Sequence, residues 1–230
     1  MRLLVVQIPC WNEEAQLPAT LAAIPRVVPG FAEVRVIVVD DGSSDQTVAV
    51  ARAHGAAVVA LPAHEGLGVA FVAGVRAALA MGADVVVNTD ADNQYRAADI
   101  PALVAPLLAG QADLVVGTRE LTAVPHYTPF RRLVHRVGRR VVGAIVGIDV
   151  PDPVSGFRAW TRAAAAAMDV RERYSYTLET LVIAARHGLR VTSVPVGTQA
   201  PMRPSRLYHR LPTYLWKTGG TLIRARLRRY

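Results

Sequence analysis

The chain has 230 residues, 52% hydrophobic and 19% charged, with a mean hydropathy of +0.26. This composition excludes a disordered chain and gives one domain enough material for a sizeable core without disulfide staples. The net charge of +8 is unevenly spread: residues 1–118 hold 6 arginines against 12 carboxylates, residues 119–230 hold 20 basic against 6 acidic side chains, and no carboxylate follows Glu179. An acidic half suits cations, and a basic half suits phosphate, lipid or nucleic acid. No apolar run approaches the roughly 18 residues of a membrane span. The apolar block at 3–6 lacks the cleavage site of a signal peptide. The single cysteine, Cys10, forms no internal bridge, which fits a reducing compartment. The expected location is the cytoplasm.

Valine-rich runs at 3–8, 34–39, 57–61, 84–88 and 114–116 read as buried parallel strands. Between them, 13–24, 45–54, 69–81 and 98–108 have the apolar spacing of helices. The alternation predicts an α/β domain with a mostly parallel sheet and right-handed crossovers. Further along, 132–148, 162–168 and 177–187 read as helices and 191–196 as a strand. The segment 207–230 reads as a basic, amphipathic, partly helical tail. Pro212 and the pair Gly219-Gly220 argue against one unbroken helix there, so the tail is expected to order on lipid or on a partner subunit.

Ligands of such sheets bind beyond the carboxyl ends of the strands. Five polar loops are expected on that rim, around Asn12, Asp41, Gly66, Asp92 and Arg119. Asp90 and Asp92 flank one alanine at a strand end, so both carboxylates can face one hard cation, Mg²⁺ or Mn²⁺, shared with substrate phosphates. A polar turn with capping aspartates is the other reading of this pattern. The six histidines and Cys10 show no zinc spacing. Asp40 and Asp41 offer carboxylates to ribose or a base edge, while Ser43 or Ser44 can cap the next helix. Gly66-Leu67-Gly68 lacks both a dinucleotide fingerprint and a P-loop lysine.

The loops PCWNEE, VDDGSSD, HEGLGVA, NTDADNQY, VGTRE, DPVSGFRAW, YTLET and VPV…RPSR occur in the order seen in glycosyltransferase family 2. Across about residues 3–206 the chain resembles that family's dolichyl- or polyprenyl-phosphate hexose synthase branch. The resemblance implies a single glycosyltransferase A-type (Rossmann-like) domain over 1–206, with a nucleotide-sugar half to 118, an acceptor half to 206 and the tail beyond. It implies inverting transfer of a hexose from a nucleoside diphosphate sugar to a lipid phosphate. By the same resemblance Pro9, Asn12, Glu13, Asp41 and Gly66 hold the donor, and Asp90, Asp92 and Gln94 hold the metal. Arg119, Arg131, Arg203, Ser205 and Arg206 clamp phosphates, and Ser155 belongs to an acceptor-side turn after Asp152. Two departures stand out. His64-Glu65-Gly66-Leu67-Gly68 replaces the family's Asn-x-Gly-Lys-Gly, removing a cation, and His135 stands where serine is usual. His135, among Arg131, Arg132 and Arg136, is expected to meet an anion.

A phosphate acceptor, with a second pKa of about 6, needs no general base. A sugar hydroxyl does, and Asp152 is then the candidate; Asp152 and Glu179 read equally as scaffold. A sugar nucleotidyltransferase would carry a Gly-rich basic loop after the first strand, where this chain has residues 9–14. A nucleic-acid module would leave the five rim loops unexplained. The basic residues at helical spacing in 132–148 and in the tail suit an anionic membrane surface.

Overall fold

The structure, a computed structural model, describes residues 2–119, 129–199, 211–228 and 230, without the side chains of Pro129, Arg131 and Leu211. Among these residues seven strands form one sheet: β1 (Leu3–Cys10), β2 (Glu33–Asp40), β3 (Ala57–Ala60), β4 (Val85–Asn88), β5 (Leu114–Arg119), β6 (Arg158–Thr161) and β7 (Val191–Val196), in the spatial order β3-β2-β1-β4-β6-β5-β7. All pairings are parallel except those of β6, which runs antiparallel to both β4 and β5. The helices are α1 (Leu17–Ala23), α2 (Thr47–Ala53), α3 (Leu67–Ala80), α4 (Ile100–Leu108), α5 (Pro129–Val146), α6 (Arg162–Ala166), α7 (Thr177–Arg186) and α8 (Leu211–Leu227).

Alternating strand residues feed two cores, as a period of two dictates. Val5, Val39, Val86 and Trp160 point to the face covered by α3, α5, α6, α7 and α8. Leu4, Val6, Val38 and Val87 point to the face covered by α1, α2 and α4. The sheet is therefore buried on both sides, which is why its strands are continuous valine runs.

Three sequence expectations change. Residues 13–16 are a turn rather than helix: the Glu13 carbonyl accepts from the N–H groups of Gln16 and Leu17, and α1 opens at Leu17 with Pro18 in its first turn. β5 runs on to Arg119 because β7 pairs with it along its whole length. The tail is one unbroken helix over Leu211–Leu227, folded on its own chain against α7. Each glycine in it costs about 1 kcal/mol. Burial of Leu222 and Ala225 offsets that, since a fully buried leucine alone contributes about 1.5–3 kcal/mol. Arg224 adds two hydrogen bonds to the Glu172 carboxylate, at 2.9 and 2.7 Å. Arg228 reaches Glu172 at 2.7 Å and the fully buried Glu179 at 2.9 Å. Glu179 also accepts the N–H groups of Arg171 and Glu172 and the Tyr230 hydroxyl, so it is scaffold.

Candidate active site

The sheet order reverses between β1 and β4, and the crevice at their carboxyl ends is where ligands of such sheets bind. Pro9 lies in β1 beyond the last β4 pairing, Gln7 opposite Asn88, and so faces only β2. A proline can sit in this central strand because no second ladder needs its nitrogen. Asn12 has φ +53 and ties two rim loops together. Its N–H donates to Ser43 Oγ (2.8 Å) and its Oδ1 accepts the Ser44 N–H (2.8 Å). Glu13 is buried, and its N–H donates to Thr47 Oγ1. Burial pushes the Cys10 thiol well up, and Glu13, Asp40, Asp45 and Asp90 push it further. That ordering marks the end of β1 as a concentration of negative charge.

Asp41 braces the loop before α3. Its oxygens accept the N–H groups of Glu65 (2.7 Å) and Gly66 (2.9 Å), and His64 Nδ1 lies 2.9 Å away. Its neighbour Asp40 is also buried, and its Oδ1 has no hydrogen-bond partner among the described residues. Gly66 has φ +105, and a Cβ there would lie 2.5 Å from the Arg173 carbonyl oxygen. It is therefore a close-packing residue, and it presents no side chain to a ligand. Trp11, absent from the sequence expectations, is 37% exposed on this rim and stacks on His64 with ring centroids 4.1 Å apart. An exposed tryptophan one residue past a strand end was the available signal.

The loop after β4 carries the paired aspartates. Ala91 is buried and its carbonyl accepts Thr20 Oγ1 at 2.7 Å, which pins the middle of the triplet so that its flanks face the rim. Asp92 Oδ1 accepts the Gln94 N–H (3.2 Å), and the Gln94 carbonyl accepts from Gln199. Asp90 packs against bare backbone: a Cβ on Gly156 would lie 2.7 Å from Asp90 Oδ1. No group of three His, Cys, Asp or Glu side chains among the described residues forms a closed metal cage. Two hard carboxylates on an open loop are the donor set of a cation that completes its shell with substrate oxygens, so the residues fit Mg²⁺ or Mn²⁺.

On the other side of Asp90 the charge reverses. Arg119 Nε and Nη2 donate to the buried Asp152 at 2.6 and 3.1 Å, and His135 Nε2 lies 3.3 Å from its Oδ1. Burial alone would raise the Asp152 pKa; Arg119 and His135 override it and hold the carboxyl well below the usual range. The Arg119 guanidinium also lies over the Tyr95 ring, 5.9 Å from its centroid. Burial pushes the Tyr95 hydroxyl up to about 12, with Arg119 opposing the shift and Asp90 and Asp152 adding to it. Tyr95 thus sits between the acidic and basic sides.

Ser155 is expected on the acceptor side, yet it is fully buried, with its hydroxyl given to Tyr95 and the Phe157 N–H. It shapes the turn. Arg158, also fully buried, donates to the carbonyls of Ser155, Pro153 and Thr177 and to Thr180 Oγ1. Burial lowers its pKa to about 10. Arg131 lies in α5 with its side chain outside the described residues, as are Arg203, Ser205 and Arg206 entirely.

Asp90 opens onto a cleft lined by Leu67, Tyr174, Tyr176 and, from α8, Tyr214, Thr218 and Thr221. Tyr176 is locked in place by a stack on Phe71 at 4.1 Å and by bonds joining its hydroxyl to Asn88 Nδ2 (2.7 Å) and the Gly156 carbonyl (3.0 Å). Nothing in the sequence pattern marks α8 as a wall of this cleft.

Residues 5–168 match the family described as "Glycosyl transferase family 2". The chain is 42% identical over 196 residues, 84% of its length, to 83% of an uncharacterized glycosyltransferase of Mycobacterium tuberculosis. It is 31% identical over 207 residues, 85% of its length, to 83% of the undecaprenyl-phosphate mannosyltransferase of Micrococcus luteus. Among solved structures it is similar to the glucosyl-3-phosphoglycerate synthase of Mycobacterium tuberculosis, in complex with Mn²⁺, UDP and phosphoglyceric acid. That likeness has a TM-score of 0.75 and 26% identity, and covers all of this chain and 80% of the other. The acidic rim at a sheet switch point and the cationic side beyond it accordingly belong to a glycosyltransferase of family 2 with the glycosyltransferase A fold.

Proposed function

We propose that this enzyme transfers a hexose, with inversion, from a nucleoside diphosphate sugar to the phosphate of a polyprenyl lipid, with Mg²⁺ or Mn²⁺ on the donor. The observation that carries this reading is the state of Asp152. It is the carboxylate of the basic side, and it is tied to Arg119 and His135 and held ionised. A carboxylate so stabilised is a poor proton acceptor. Among the described residues the acceptor side therefore offers cations without a base, which suits an acceptor that arrives already negative. The undecaprenyl-phosphate mannosyltransferase likeness supports a lipid phosphate, and the complex with Mn²⁺ and UDP supports the donor and metal.

In this mechanism the Trp11 face and Asp41 hold the nucleoside, with Asn12 fixing their loops. Asp90 and Asp92 would hold the cation, which would supply stabilisation of the charge on the departing diphosphate. Tyr95 and Tyr176 fix Gly156, and with it the room at Asp90. Arg119 orients the acceptor phosphate and screens its repulsion from the donor. That phosphate, largely dianionic near neutrality with a pKa of about 6, attacks the anomeric carbon directly.

A membrane-facing surface accompanies the site. α5 exposes Phe130, Leu133, Val137 and Val141 in one row, beside Arg136 and Arg140. α8 exposes Leu215, Trp216, Ile223 and Leu227. No helix among the described residues is long and apolar enough to cross a membrane; these faces suit the surface of an anionic bilayer.

The test is a screen of nucleotide sugars with Mg²⁺ or Mn²⁺ against a short polyprenyl phosphate, phosphoglyceric acid and free sugars. A metal-dependent glycolipid product is expected. Transfer only to phosphoglyceric acid or to hydroxyls defeats the reading.

A further inference from the structure

The family match ends at residue 168, yet one wall of the cleft comes from beyond it. α8 turns Tyr214, Thr218 and Thr221 toward the space in front of Asp90. Lys217, the only lysine of the chain, follows Tyr214 by three residues and precedes Thr221 by four, so it borders that same helix face. Its ammonium lies over the Tyr174 ring, 5.0 Å from the centroid, and Tyr174 lines the cleft.

Tyr214 locates the opposite border. Burial raises its hydroxyl pKa to about 12, with Tyr174 adding to the shift, Arg119 opposing it and Asp152 adding to it. Tyr214 thus lies within electrostatic reach of Tyr174 and of the Arg119–Asp152 pair. An anion held in the cleft faces Asp90, with Lys217 at the rim over Tyr174. β1 and β2 flank β4 on one edge and β6 and β5 on the other, and the loop before α3 reaches the cleft through Leu67. Beside Lys217 in sequence, Leu215 and Trp216 are 45% and 78% exposed. They give an apolar tail a path away from the charged centre.

We propose that Lys217 is a substrate-binding residue, the second cation of an acceptor-phosphate clamp whose first is Arg119, and that α8 is the acceptor wall of the active site. This assignment rests on the lipid-phosphate reading and adds the residue that selects the phosphate. A flexible ammonium suits the task, since it can follow a phosphate through three rotatable donors.

The single lysine makes the test direct. Reductive methylation with ¹³C-formaldehyde labels Lys217 and the α-amine, which resonate apart. Titration of the labelled full chain with a ten-carbon prenyl monophosphate is expected to shift the lysine signal saturably. The matching prenyl alcohol and inorganic phosphate at the same concentration are expected to leave it in place. In parallel, Lys217→Ala is expected to raise the acceptor KM about tenfold or more with donor KM and melting temperature unchanged, and Lys217→Arg to restore most of the loss. An unmoved lysine signal together with an unchanged acceptor KM, in a wild-type enzyme that does glycosylate prenyl phosphate, overturns the assignment and leaves the lipid-phosphate reading intact. A shift produced equally by inorganic phosphate overturns it too. A wild-type enzyme that never uses prenyl phosphate defeats the reading itself, and the clamp with it.

Discussion

At the scale of single residues, Asp90 and Asp92 carry charge on a loop whose folding depends on Ala91, Thr20 and Gln94 rather than on the carboxylates' ionisation. Asp92→Asn is accordingly expected to abolish most turnover at any added Mg²⁺ or Mn²⁺ while the melting temperature stays near wild type. A fully active variant would remove the metal role. Gly156 tests the same centre through the backbone. A methyl group there would meet Asp90 Oδ1 at 2.7 Å and the Tyr176 hydroxyl at 3.0 Å, so Gly156→Ala must turn Asp90 aside. Displacement on that scale costs about 10²-fold in rate, and overpacking about 1–3 kcal/mol of stability. Arg119 needs a double variant, because Arg119→Ala leaves a buried carboxylate without its main partner, at a cost of about 3–5 kcal/mol. Adding Asp152→Ala is expected to recover the melting temperature and leave acceptor use lost. If the double variant regains activity, Arg119 serves only Asp152. The paired aspartates were legible in the sequence because a strand end fixes their direction. The internal bonds of Asp41 and Ser155 were not legible, because a motif names polar residues without saying which groups of the chain they also hold.

At the scale of elements, the valine-rich strands were visible because burial on both faces leaves no polar alternation to confuse with a helix. β6 was not: Arg-Ala-Trp-Thr has neither a valine run nor a period, and only its neighbours β4 and β5 make it a strand. α8 was read as broken because glycine propensity is local, whereas its anchors, Glu172 and Glu179, lie about 50 residues earlier in the chain. Those anchors make its docking depend on pH. The Arg224 hydrogen bonds hold the Glu172 carboxyl below its ordinary 4.5, against the effect of burial. A depressed carboxyl contributes its stability above the unfolded pKa and loses it as the pH falls through the folded one. The Leu222 methyl resonances are therefore expected to hold their native positions above about pH 4.5 and to move toward unfolded values only in stronger acid. Glu172→Gln is expected to loosen them at neutral pH. Identical spectra for that variant and the wild type would mean that apolar packing alone seats the helix.

At the scale of the whole molecule, the segregated charge has a mechanical use. The exposed rows of α5 and α8 combine apolar side chains with arginine, and each basic residue near an anionic leaflet contributes about 1 kcal/mol. Sedimentation with anionic vesicles is expected to carry the protein down at low salt and to release it as salt rises. Trp216→Ser combined with Leu215→Ser is expected to weaken binding without unfolding the chain, both residues being exposed. Equal sedimentation with neutral vesicles would mean that charge has no part in it.

The central position of β6 also bears on how the chain assembles. The four strands β3-β2-β1-β4 can pair as soon as residues 3–88 are present. β5 and β7 can pair with each other, but nothing joins the two blocks until Arg158–Thr161 slots between them with hydrogen bonds to both. Closure thus waits on contacts far apart in sequence, such as Val86 with Trp160, the kind that slow a folding reaction. Until it happens, β4 presents a bare apolar edge open to pairing with another chain. The same four residues, shielded on both edges and both faces, are where deuterium should enter last.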